Sequence, residues 1–176
     1  MNPSTDRAGT PESRVMPVDP ASSPHDFDFL IGDWEVRHRR LVRRLAGCTD
    51  WQTFGGRSRL IKVLDDHGTV DDNWIDLPGG AYRALTLRSF DPVRREWAIW
   101  WLDHRFPQRL DPPMRGHFSG GVGRFFADDV FEGRPIRVRF LWTGVAGGSP
   151  RWEQAFSTDG GARWEANWEM SFHRLG

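Results

Sequence analysis

A single cysteine, Cys48, rules out the disulfide-stapled folds, because no bridge can form within the chain. No N-terminal apolar run resembles a signal peptide, so a reducing cytoplasm is the expected compartment. A membrane helix needs about 18 consecutive apolar residues, and no stretch approaches that, so no membrane partner is expected. Net charge is missing as well. The 24 Lys+Arg balance the 24 Asp+Glu, which leaves no overall field to steer nucleic acid. Lysine is nearly absent, with Lys62 alone, and an arginine-favouring genome explains this more simply than selection for bidentate anion binding. No segment carries a convincing amphipathic-helix period.

What the chain does have is tryptophan. Ten of them stand in 176 residues, and each buries roughly 200 Å² when inside, so they require a core, a ligand pocket or an interface. The length suits one domain. Residues 1–24 lack both hydrophobic periods and read as a disordered tail, with a single domain over 25–176. A short apolar plug runs to Gly32, and a strand follows with Trp34, Val36, His38 and Arg40 on one side. Gly47 to Gly56 reads as a loop whose Trp51 and Phe54 fold back as a lid or cover the barrel end. Strands are expected near Arg57–Leu64, Thr69–Leu77, Ala81–Phe90, Trp97–Asp103, Arg115–Phe118, Gly123–Phe126 and Pro135–Thr143. Gly120, Gly121 and Gly123 read as permitting a strand bend or bulge.

The last segment predicts a hairpin around Asp159-Gly160-Gly161. A three-residue loop there sets Phe156 against Trp164, Gln154 against Ala166 and Trp152 against Trp168, with Met170 and Phe172 continuing the same inward face. The opposite assignment, with Glu153, Asn167 and Arg139 inward, implies a polar cavity and an aromatic dimer interface. Trp34 and Arg174 share the parity of the aromatic face, which favours the first. About nine or ten short strands in meander order favour a sandwich or a closed all-β antiparallel barrel, and closure removes sticky edges.

Gly32-Asp33-Trp34 and Arg174 resemble the signature of lipocalin-like, or calycin, barrels. In that superfamily a Gly-x-Trp opens the first strand, and an arginine of the last strand packs on its indole at the closed end. The longer arrangement of Phe27 to Trp34, Arg88 to Pro92, Trp97 to Trp101 and Trp152 to Gly161 resembles a bacterial lipocalin-like family of unknown function. The resemblance covers roughly residues 25–174 and implies a fold, not an activity. Ser157, Asp159, Gly161 and Trp164 also match the Asp-box pattern of sialidase propellers, here a single hairpin brace.

The six histidines form no His-x-His or His-Glu-x-x-His pattern, so neither a metal nor another cofactor is expected. Some ten-stranded barrels of this type hold haem through a histidine near the C-terminus, but His173 falls on the outward parity. Nucleophile-elbow and phosphate-loop signals are lacking. What remains is a set of polar residues breaking an aromatic interior: His38, Arg88, Asp103 and Gln154. Pairing Phe90 with Trp97 sets Arg88 beside Ile99 on the face of Trp101 and Asp103, where Arg88 and Asp103 either pair with each other or orient a ligand. The expectation is a barrel that binds a small, mainly apolar, aromatic or isoprenoid-like molecule among Trp34, His38, Arg88, Trp101, Asp103, Trp142, Gln154 and Trp168. The alternative is a small barrel enzyme, an isomerase, cyclase or hydrolase, using His38 with Asp103, or Glu153 with Asn167 and Arg139. A packed barrel acting through protein contacts is a third reading, and a homodimer stands beside a monomer.

Overall fold

The computed structural model describes residues 22–176. Ten strands follow one 3₁₀ turn at Asp28–Leu30: β1 (Gly32–Leu41), β2 (Trp51–Val63), β3 (Gly68–Ile75), β4 (Tyr82–Asp91), β5 (Glu96–Asp103), β6 (Met114–Ser119), β7 (Val122–Phe131), β8 (Arg134–Thr143), β9 (Arg151–Ser157) and β10 (Glu165–Arg174). Every neighbour pair is antiparallel, and β1 closes on β10, giving a meander barrel of lipocalin-like architecture. Closure lets both flanks of each strand pair, so no aromatic edge is left open.

Period-2 alternation builds the wall. Along β1, Trp34, Val36 and His38 are buried between exposed neighbours, as their spacing predicts. The β4–β5 register matches expectation too, with Phe90 opposite Trp97 and Arg88 opposite Ile99. β5 is half-buried or buried throughout, with Ala98 at 7% exposure on its outer face.

One end is sealed by the segment that precedes β1. Phe27 is fully buried and meets Trp97, Phe118, Phe125 and Trp142 edge or face on, at 5.0–6.1 Å between ring centres. The indole N–H of Trp34 donates to the Leu30 carbonyl at 2.8 Å, and the Arg174 guanidinium lies 4.4 Å from the Trp34 ring. Arg174 also donates to the Ile31 and Phe29 carbonyls, which ties the last strand to the plug. The tail expected over residues 1–24 lies, through Ala21, outside the described residues. Its final part packs on the barrel: Ser22 is buried, bonds the Asp26 carboxylate and accepts the Phe118 backbone N–H.

Several sequence expectations change. β2 begins at Trp51, so Trp51 and Phe54 are strand residues and not a lid. Phe54 is buried against His38, and Trp51 lies outside under Arg39 at 4.0 Å. β7 runs on to Phe131, well past the expected Phe126. Gly120 and Gly121 are the β6–β7 turn, with φ of +57° and +74°, and not a bend within a strand.

The final hairpin also departs from its predicted register. Phe156 pairs with Glu165, Gln154 with Trp168 and Trp152 with Met170, with a bulge between Ala166 and Trp168. The extra residue reverses side-chain parity across the bulge, so Trp164 lies outside against Phe126 and Arg139. Trp168, Met170 and Phe172 do face inward. The loop is braced as expected: Ser157 and Asp159 bond each other, and they accept the Gly161 and Arg163 backbone N–H groups.

Candidate functional site

A cavity of about 350 Å³ occupies the barrel and runs to the mouth opposite the plug, where the loops after β1, β5 and β7 lie. It is two-sided. On β8, β9 and β10 the wall is aromatic, with Phe140, Trp142, Trp152, Phe156 and Trp168. Trp101 of β5 reaches across to Trp168 at 6.4 Å, and the series continues to Trp152 at 5.8 Å and Phe140 at 4.8 Å. On β3 and β4 the wall is polar, with Asp71, Asn73, Thr86 and Arg88.

Seven of the eight residues expected from sequence line this cavity: His38, Arg88, Trp101, Asp103, Trp142, Gln154 and Trp168. Trp34 does not, because it is committed to the plug. The partners differ from expectation. Arg88 pairs with Asp71 at 3.1 Å, not with Asp103, and both members are buried. Its guanidinium also lies 4.8 Å from the Phe27 ring. Asp103 is held by Arg105 in a bidentate contact of 2.5–3.1 Å. Burial pushes the Asp103 carboxyl up, but the Arg105 bonds outweigh it and hold it below the usual carboxylate range.

His38 is positioned by aromatic neighbours and not by Asp103. It stacks on Phe54 at 4.9 Å and accepts the Trp168 indole N–H on Nδ1 at 3.2 Å. Indole only donates, so Nδ1 carries the lone pair and Nε2 the proton. Burial, with help from the Arg40 charge, lowers its pKa from 6.5 to about 4, which keeps the ring neutral at neutral pH. Gly56 makes the ring position available, since a Cβ there would stand 2.7 Å from His38 Nε2 and from the Trp74 carbonyl.

The second candidate set does not assemble. Glu153 and Arg139 pair at 2.8 Å and border outer-face grooves. Asn167 is fully buried in the β10 bulge, where it accepts the Gln154 amide at 2.9 Å. His173 pairs with Glu35 and is exposed. Among the described residues, no group of three or more His, Cys, Asp or Glu is placed to hold a metal ion.

Sequence reasoning missed the mouth. Arg40, Arg44, Tyr82, Arg105, Arg109, Asp111 and Asp129 line it. Burial raises the Tyr82 phenol and, aided by Asp129, the Asp111 carboxyl. Burial and the neighbouring Arg40 bring Arg44 down to about 10. Arg44 stands in the β1–β2 loop over the Phe131 and Phe156 rings at 4.6 and 5.5 Å, and the next residue, Leu45, gives its N–H to Glu165 at 2.8 Å. This loop therefore leans over the opening, in the role that Trp51 and Phe54 were expected to fill. Arg40 was within reach of the β1 alternation, whereas nothing in the sequence places Arg44.

The architecture and cavity together define a closed ten-strand antiparallel barrel with a lined interior. No protein-family model matches the sequence, and no curated protein matches it. No helix among the described residues is long and apolar enough to cross a membrane.

Proposed function

We propose that this barrel binds one small, mainly apolar molecule, aromatic or isoprenoid-like, in the tryptophan-lined cavity. The observation that carries the reading is the chain of Trp101, Trp168, Trp152 and Phe140 bordering a volume of about 350 Å³, within the ordinary range of small-ligand pockets. The opposite wall supports an oriented pose, since Asn73 and Thr86 present polar groups at mid-depth. A tightly filled core, as a protein-contact scaffold would have, fits this interior less well. Catalysis has less to draw on: His38 is neutral without a carboxylate partner, and Asp103 is engaged by Arg105.

The same reading takes the chain for a relative of the bacterial lipocalin-like family that its motifs resemble. Trp34 under Arg174 at the sealed end supports this, and a cytoplasmic setting accords with the lone Cys48. Titrating intrinsic tryptophan fluorescence with chemically diverse apolar aromatics and isoprenoids tests the binding proposal. Saturable quenching by at least one class is expected. A flat response across the panel overturns it.

A further inference from the structure

We infer that Arg40 and Arg44 bind the anionic head, carboxylate or phosphate, of an amphipathic acid whose apolar body lies in the cavity. This rests on the binding reading above and adds the chemical class of the ligand.

The other interior and rim arginines of this fold are met from within the chain. Arg88 has Asp71 at 3.1 Å, Arg105 has Asp103 at 2.5 Å and Arg174 has two backbone carbonyls. Arg40 and Arg44 have neither. Among the described residues, no carboxylate lies within ion-pair distance of either, and neither donates a hydrogen bond. The Nε of Arg40 is buried without a partner. Both guanidinium groups rest on ring faces, Arg40 at 5.2 Å from Trp168 and Arg44 at 4.6 Å from Phe131.

Stacking of this kind uses the face of the guanidinium and leaves the N–H donors in its plane without acceptors. That edge suits a bidentate oxyanion. Of the nearby acids, Asp103 holds Arg105, Asp111 lies 3.9 Å from Arg109, Asp129 accepts the Val130 N–H and Glu165 accepts the Leu45 N–H. Glu132 and Glu165 are near enough to act on Arg44 through their charge, but neither forms an ion pair with it. Two like charges thus share a partly desolvated rim, and an anion there relieves repulsion and fills empty donors at once. Arg40 is the last inward residue of β1 and Arg44 follows in the loop above it, so the head sits at the mouth and the tail points toward Trp168 and Trp152.

Calorimetric titration of the full chain compares matched probes that differ only in the head: farnesol, farnesoic acid and farnesyl phosphate, then 1-naphthaleneethanol, 1-naphthaleneacetic acid and 2-(1-naphthyl)ethyl phosphate. In at least one series an acid is expected to bind at least about tenfold tighter than its alcohol, the scale of one charge-assisted contact. The double change Arg40→Gln with Arg44→Gln is expected to erase that advantage, so that acid and alcohol bind the variant equally. Arg57→Gln, on the outer face, is expected to change nothing. A carboxylate-only or phosphate-only preference supports the inference and identifies the source of the oxyanion. Equal binding of acid and alcohol overturns the inference and leaves the apolar cavity standing, whereas no binding in either series overturns both. An acid preference that survives the double change overturns the assignment to these two arginines. The head-group comparison on the unmodified chain tests the class of ligand, and the single changes Arg40→Gln and Arg44→Gln, each measured alone, test the assignment if the double variant misfolds.

Discussion

The two ends of the barrel both set arginine on aromatic rings, and they use it differently. At the sealed end Arg174 lies 4.4 Å from Trp34 and also donates to two carbonyls of the plug, so its donors bind the chain to itself. At the mouth Arg40 and Arg44 lie at similar distances from Trp168 and Phe131, yet donate to nothing among the described residues. A guanidinium whose donors are all met internally stabilises the fold. One left with empty donors at a cavity rim costs stability and is placed for a partner that comes from outside. The contrast separates an end whose arginine donors are met within the chain from an end whose arginine donors are open.

The largest effect should come from the sealed end. Phe27→Ala removes the centre of the plug and is expected to cost about 3–5 kcal/mol, seen as a lower urea midpoint. A loss under about 1 kcal/mol would mean the plug does not hold that end together. On the inner side of the plug, Asp71→Ala leaves Arg88 buried and uncompensated, a loss of about 3 kcal/mol or more. The double replacement Asp71→Leu with Arg88→Met should cost clearly less, and a larger loss in the double than in the single would contradict the pairing.

Next comes the pH dependence of His38. Its folded pKa lies near 4, below the unfolded value of 6.5, so the unfolded chain takes up the proton first as pH falls. Stability is full above about pH 6.5 and declines from there toward pH 4, by on the order of 3 kcal/mol. His38→Gln should flatten that window in equilibrium unfolding measured at several pH values. Carboxylates such as Asp103, held below their usual range, act only at lower pH. An unchanged slope in the variant would count against a buried neutral His38.

The smallest effects bear most closely on the contrast between the ends. Arg174→Ala is expected to cost about 1 kcal/mol through the lost indole contact and carbonyl bonds. Arg40→Gln and Arg44→Gln should shift unfolding by no more than about 0.5 kcal/mol or raise stability, because each removes one of two facing charges. A clear destabilisation at the mouth would make its arginines structural and erase the distinction.

Much of the fold was legible because the side-chain pattern and the register agreed. Trp34, Val36 and His38 alternate with exposed residues, and the Asp91-Pro92 turn sets Arg88 opposite Ile99. The interior polar residues His38, Arg88, Asp103 and Gln154 followed from the same parity. Their partners did not. β3 turns Thr69, Asp71 and Asn73 inward while Trp74 on its outer face is 37% exposed, so a hydrophobicity rule reads that strand backwards. Parity also fails at the β10 bulge, because one extra residue sends Trp164 outside while Trp168 stays in. Arg44 lies in a loop, where no period constrains direction, and its place over Phe131 and Phe156 exists only once distant strands have closed the mouth.

The central claim is that the interior of this barrel is a binding cavity. It is tested most directly by titrating farnesol and 1-naphthaleneethanol, with tryptophan fluorescence as readout, into the wild-type chain and into Ala127→Phe, which projects a ring from β7 into the space beside Val138. The account predicts saturable quenching by at least one of the two at a single site in the wild type. In the filled variant it predicts at least about tenfold weaker binding with the thermal midpoint retained. Binding of equal strength in the filled variant, or no saturable response in the wild type, would contradict it.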